Sequence, residues 1–331
     1  MVSIAQMAGS APNKTAAGSL VVERVKSQPM ISSAVEQGPA AKSHEALPAH
    51  STWETACGSA RNFLDNRFVY VVVSPRARGL SVGINLNPDK RCNFDCVYCE
   101  VNRALPSRDQ SLDVPVMIHE LESTLALALE GRLHGLPGFR SLPPELLQLR
   151  HVALSGDGEP TLSPDFCEVV HAVVHLRAVC RFAFFKVALV SNATGLDQPS
   201  VLHSLHALTP QDEIWLKLDG GTRDYLDRIN RPTVPIEKVL ENILLIGRQR
   251  PILIQSLFPR LNGEEPPPEE IEQFVLRLRE LKDAGAQIAL VQVYSATRPP
   301  MHPECGHLPL RSLSRIAQTV RAGTGLRVEV F

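Results

Sequence analysis

Hydrophobic and polar positions along the chain fall into two textures. Over residues 1–58 the apolar side chains keep neither a two-residue nor a 3.6-residue period among many Ala, Ser, Gly, Pro, Gln and His residues, so a disordered tail is expected there. From about Arg61 onward, short β-branched or aromatic runs alternate with amphipathic stretches. The runs at 68–73, 80–86, 151–154, 184–190, 214–219, 252–258, 288–294 and 327–331 predict strands. Helical spacing predicts helices over 114–129, 164–176, 198–207, 236–247, 269–284 and 314–321. In the first of these, apolar residues at 114, 117, 118, 121, 125 and 129 share one face. Strands alternating with helices imply right-handed βαβ units and a parallel sheet, with six such strands from Leu80 onward. The pattern fits a doubly wound sheet and a barrel equally well. In both, ligands gather at the carboxyl ends of the strands.

Composition narrows the class. The 331 residues carry a net charge of −1 and are 44% hydrophobic, enough for a sizeable core and without a global basic surface for nucleic acid. No apolar run approaches the ~18 residues of a membrane span, and no compact apolar leader opens the chain, so a cytoplasmic protein with no membrane partner is expected. The seven cysteines are not the dense, even set of a disulfide-stapled domain.

Three of those cysteines stand out. Cys92, Cys96 and Cys99 lie on one short loop that follows the 80–86 strand. Thiolates are soft ligands that select zinc, copper(I) or iron–sulfur clusters. Zinc would want a fourth Cys or His, typically from a second short pair downstream; Cys167, Cys180 and Cys305 each stand alone. His302, Cys305 and His307 have a metal-like spacing but lie among prolines with no fourth ligand near.

Polar residues collect where the strands end. Gly156, Gly158, Glu159 and Pro160 follow one strand and Ser191 and Asn192 the next; the glycines permit close backbone approach, and Glu159 offers a carboxylate to an ammonium group. Lys217 and Asp219, two residues apart, share a face of their strand, as do Gln292 and Tyr294 of theirs. Gln255 is a further polar residue in an apolar strand. A charged pair pointing into a barrel is costly unless it serves chemistry, which makes Lys217, Asp219 and Gln255 the candidate catalytic group.

The pattern Cys-x-x-x-Cys-x-Tyr-Cys at 92–99 resembles the cluster loop of radical S-adenosylmethionine (SAM) enzymes. The resemblance implies a partial (β/α)6 barrel as one catalytic domain over 59–331, and a [4Fe-4S] cluster on the three cysteines with one iron left open to chelate SAM. It implies reductive cleavage of SAM to a 5′-deoxyadenosyl radical, with electrons from a flavodoxin or ferredoxin. Residues 156–160 with Glu159 would then hold the SAM amine, Ser191 and Asn192 its ribose or carboxylate, and Phe94, Tyr98, Gln292 and Tyr294 the surroundings of the adenine.

Further stretches, 83–88, 158–161, 217–220, 229–232, 292–294 and 298–300, look like the group containing tRNA wyosine synthases. That resemblance implies a possible tRNA substrate and makes Lys217 a Schiff-base candidate, since burial lowers a lysine pKa. The three cysteines of a second cluster have no counterpart, Cys57 being alone ahead of the loop, and there is no basic tail. The rival from another class is a non-catalytic regulatory protein whose three cysteines hold zinc or a cluster for structure.

Overall fold

The computed structural model describes residues 63–179, 182, 184–298 and 300–331; the tail expected over 1–58 lies outside them. β1 (Val69–Ser74) and β2 (Gly79–Asn85) form an antiparallel hairpin. In chain order there follow α1 (Val114–Leu129), β3 (Leu149–Ser155), α2 (Phe166–Val179), β4 (Lys186–Ser191), α3 (Pro199–Leu205), β5 (Glu213–Lys217), α4 (Arg223–Ile229) and α5 (Ile236–Gln249). Then come β6 (Ile252–Leu257), β7 (Arg260–Leu261), α6 (Pro268–Asp283), β8 (Ile288–Tyr294), β9 (Cys305–Gly306), α7 (Leu310–Thr324) and β10 (Val328–Val330).

The eight-stranded sheet has the order β1-β2-β3-β4-β5-β6-β8-β10, parallel from β2 onward, while β7 and β9 pair separately. Each parallel strand lies beside its predecessor with no reversal of direction. Right-handed crossovers then place every helix on the same side, and the sheet curls about the other. A doubly wound sheet would reverse its strand order at a switch point, so the order settles what periodicity left open: this is an open half-barrel.

Register assigns the two faces. Val82, Val152 and Val187 are aligned neighbours, as are Leu216, Ile254 and Val291. All six are fully buried with Leu121, Val173, Ile243, Phe274 and Val320 of the helices, which makes this outer face the main core. The opposite, inner face carries Ser81, His151, Trp215, Lys217, Gln255, Gln292 and Tyr294. On it Lys217, Gln255 and Gln292 stand level on adjacent strands, continued by Glu329 of β10.

The helix over 114–129 forms where the pattern predicts it, with the Asp113 carboxylate accepting the Val116 amide at 3.1 Å as its cap and a proline in its first turn. Besides the two-residue strands β7 and β9, two elements depart from the sequence reading: β10 joins the sheet as a seventh parallel strand, and α4 has no counterpart in the expectation, though Thr222 caps it by accepting the Tyr225 amide at 3.2 Å. Arg78, in the β1–β2 turn, pairs with Glu329 at 2.7 Å and ties one edge of the sheet to the other. Among the described residues no helix is long and apolar enough to cross a membrane.

Candidate active site

The cysteine loop leaves the carboxyl end of β2 and is held against the turn that follows α4. Asp95 donates its amide to the Asn230 carbonyl at 3.0 Å, Val97 to Ile229 at 2.8 Å, and Thr233 donates back to Asn93 at 3.0 Å. Val97 is buried with Tyr225, Ile229 and Cys305. On the loop's other side Gly158 lies so close that a Cβ there would come within 1.7 Å of the Arg91 carbonyl oxygen. Only glycine admits that approach. The segment after β8 closes over the loop, Met301 donating to the Cys99 carbonyl at 2.9 Å and Arg298 pairing with Glu100 at 2.7 Å.

All three loop cysteines are free thiols, partly buried. Each sulfur meets a donor: the Phe94 amide at 3.4 Å for Cys92, the Asn230 side chain at 3.3 Å for Cys96, and the Arg103 guanidinium at 3.6 Å for Cys99. Burial pushes the Cys96 thiol up to about 12, with the Tyr98 and Asn230 hydrogen bonds pulling the other way, and burial likewise raises Cys92. Among the described residues no group of three or more His, Cys, Asp and Glu side chains converges as the ligands of one metal ion. Ligands of a single zinc must meet at one atom. Thiolates around a cluster bind different iron atoms and need not.

At the β3 and β4 ends, Glu159 is 2% exposed. Its Oε1 accepts the Thr161 amide at 3.1 Å, the Thr161 hydroxyl at 2.6 Å and the Ser191 hydroxyl at 2.7 Å, and its Oε2 accepts the Asn192 amide at 2.7 Å. Burial raises its pKa from the ordinary carboxyl value, with these donors pulling the other way. Oε2 has one partner and so keeps room for another donor. From Asn192 a chain of side-chain bonds runs to the cysteine loop: Asn192 donates to Asn93 at 2.8 Å, and Asn93 to Thr194 at 2.9 Å. Beside Gly156 and Gly158, the Asn85 side chain accepts the Asp157 amide at 2.9 Å and donates to its carboxylate at 2.9 Å. The neighbouring Asn87 Oδ1 is buried with no hydrogen-bond partner. An orphaned buried acceptor is costly and invites a donor from a ligand.

At the β5, β6 and β8 ends a charged group fills the barrel mouth. Lys217 Nζ lies 3.1 Å from Asp219 Oδ1 and donates to the Tyr294 hydroxyl at 3.0 Å. It also sits 4.8 Å from the centre of the Tyr98 ring and 5.2 Å from that of Tyr294. Asp219 accepts the Leu257 amide at 2.7 Å, the Asn230 side chain at 2.8 Å and the Tyr98 hydroxyl. Gln255 donates to Gln292 at 2.8 Å, both side chains being buried. Burial by itself would depress the Lys217 pKa, but Asp219 and Tyr294 more than offset it, and the net shift is upward. The direction is opposite to the lowering that burial alone would give, and in this arrangement the ammonium is held charged.

Of the residues singled out in the sequence, Phe94 and Tyr98 on the loop, Glu159, Ser191 and Asn192 to one side, and Lys217, Asp219, Gln255, Gln292 and Tyr294 to the other all lie at the same end of the sheet. Gly156 and Pro160 frame Glu159, which opens a short 3-10 turn, Pro160–Leu162. His302, Cys305 and His307 go separate ways: His302 faces Asp95 and Glu304, Cys305 is buried beside Val97, and His307 meets the Ala296 carbonyl. Arg223, Arg231, Arg315 and Arg327 pair with carboxylates of the chain itself, and Arg321 with the Val328 carbonyl. Sequence reasoning gave no role to Asn85, Asn87, Asn93 or Arg103. It noticed Asn230 only as part of a turn; the signal available was an Asn–Arg–Pro run after a short amphipathic stretch.

Comparison with known proteins agrees with this geometry. The radical SAM superfamily profile matches residues 86–266, more than half of the chain. A protein of Helicobacter pylori called "UPF0026 protein" is 24% identical over 273 residues, covering 77% of this chain and 80% of its own. The S-adenosyl-L-methionine-dependent tRNA 4-demethylwyosine synthase TYW1 of Mus musculus is 26% identical over 155 residues, covering 44% of this chain and 19% of the mouse protein. The crystal structure of Streptococcus suis SuiB bound to S-adenosylmethionine has a TM-score of 0.52 at 15% identity, over 74% of this chain and 49% of that one, a likeness of fold. Cysteine loop, half-barrel and profile together make the chain a member of the radical SAM superfamily, an enzyme standing near the wyosine synthase group.

Proposed function

We propose that residues 59–331 form one catalytic domain that binds a [4Fe-4S] cluster on Cys92, Cys96 and Cys99 and uses it to cleave SAM for hydrogen abstraction from a substrate at the barrel mouth. The observation that carries this reading is the loop itself: three thiols, each met by a donor, that share no single-ion centre. Soft thiolates in that number suit an iron–sulfur cluster with one open iron. When bound, the cluster supplies the electron that splits the SAM sulfonium into methionine and a 5′-deoxyadenosyl radical.

The chain's own residues hold, orient and shield. The 156–160 segment receives the methionine end of SAM, where the orphaned Asn87 carbonyl and the second acceptor site on Glu159 Oε2 suit the ammonium. Ser191 and Asn192 fix the adjoining strand end and face the ribose or carboxylate. Phe94, Tyr98, Gln292 and Tyr294 border the adenine. Lys217, Asp219 and Gln255 face the substrate. A tRNA base, as in the mouse relative, and a flavodoxin or ferredoxin reductant are the corresponding partners, and the compartment is the cytoplasm.

Anaerobic reconstitution with iron and sulfide, followed by reduction in the presence of SAM, tests the reading. Four irons per chain and release of 5′-deoxyadenosine are expected. Stoichiometric zinc without SAM cleavage would establish the regulatory alternative instead. Cys96→Ala should lose cluster and cleavage together, and retention of either refutes the ligand assignment.

A further inference from the structure

Among the described residues Arg76 is an inner-facing cation that the fold leaves without an ionic partner; its backbone lies at the amino ends of the parallel strands and its side chain reaches up the inner face to Tyr294. It sits in the β1–β2 turn, continuing the inward alternation of Tyr70, Val72 and Ser74. Its partly buried guanidinium stacks on the Tyr294 ring, 4.1 Å from the centre. Tyr294 is also the ring and hydroxyl that Lys217 contacts. Among the described residues Arg76 makes no hydrogen bond and no ion pair, so five N–H donors in a rigid fork have no acceptor.

The surrounding charges sharpen the point. Lys217 is neutralised by Asp219. The nearest turn arginine, Arg78, is neutralised by Glu329, which also takes Arg327. Glu213 is occupied by Lys186 and Trp215. His151, on the same inner face, has its pKa lowered to about 4, chiefly by burial, with Lys186 and Arg76 contributing, and it adds no compensating charge at neutral pH. Lys217, Asp219 and Arg76 together leave one positive charge around Tyr294 on the inner face. A guanidinium fork held on an aromatic face is the arrangement that takes a carboxylate or phosphate two-pronged.

We propose that Arg76, held by Tyr294 and flanked by Lys217, is the recognition site for a single carboxylate or phosphate group on the substrate. This rests on the reading of Lys217, Asp219 and Gln255 as facing the substrate, and it narrows the substrate to a molecule whose anionic group extends past Tyr294 into the barrel while its reacting carbon stays near Lys217. Tyr294 thereby becomes a positioning residue as well as a wall of the cofactor site.

Phenylglyoxal modification of the reconstituted full chain, mapped peptide by peptide, tests it. Inorganic phosphate and acetate serve as probes for the two chemistries. The expected result is a saturable, several-fold slowing at Arg76 by one or both probes with Arg78 unprotected, and the stronger probe names the group. Tyr294→Leu should remove the protection while a cluster spectrum like that of the wild type shows the variant is folded. Equal slowing at both arginines, no slowing at Arg76, or protection of Arg76 by SAM at SAM's own binding concentration would each overturn the assignment. Release of 5′-deoxyadenosine is read separately, so failure of the radical reaction is distinguishable from failure of the anion site.

Discussion

Two buried carboxylates flank the cysteine loop, and the fold treats them differently. Glu159 and Asp219 are each 2% exposed and each follows a parallel strand. Glu159 is met only by neutral donors, all within the β3 and β4 ends, and they knot those two ends together. Asp219 is met by a cation, and through Asn230 it is joined to the Cys96 sulfur. In the function proposed above, the first would fix the frame that receives the methionine end of SAM, and the second would balance a charge that faces the substrate. Burial alone therefore does not say what a carboxylate does; the charge of its partners does.

The sharpest way to break this contrast is to neutralise each group in turn. Asp219→Asn removes one partner of a buried ion pair and leaves the Lys217 ammonium uncompensated, and a loss of about 3–5 kcal/mol is expected in urea unfolding of the cluster-free protein. Glu159→Gln keeps size and shape but turns one acceptor into a donor facing other donors, and about 1–3 kcal/mol is expected in the same experiment. If Glu159→Gln proved the more costly, the assignment of ionic and neutral sites would be reversed.

A smaller effect appears with pH. Burial raises the Glu159 carboxyl despite its four donors, so the folded chain holds that proton to higher pH than the unfolded chain does. Its contribution to stability is then full below the unfolded value of about 4.3 and declines as pH rises through the folded one. The stability gap between wild type and Glu159→Gln should narrow over that interval, and a gap that widened would contradict the raised value.

Much of this was legible in the sequence because it was periodic or clustered. The strands from Leu80 to Tyr294 and the helix at 114–129 appear where the pattern places them, since each buries a full face against the core. The 92–99 spacing marks the loop, and the spacing of Lys217 and Asp219 marks a shared face. What stayed hidden depended on distance. The α4 helix is held by its cap and by packing rather than by a repeat. Asn230 has no chemistry of its own to announce it until the fold brings Cys96, Tyr98 and Asp219 around one amide. The upward shift of Lys217 follows from an oxygen 3.1 Å away, whereas burial alone would lower it.

The central claim is that three cysteines hold a four-iron cluster whose remaining iron is kept for SAM. Mössbauer spectroscopy of the chain reconstituted with 57Fe, recorded with and without SAM, tests it most directly. The account predicts four irons per chain, one of which changes its isomer shift when SAM is added while three do not. Four irons that all ignore SAM, or a spectrum with fewer than four, would contradict it.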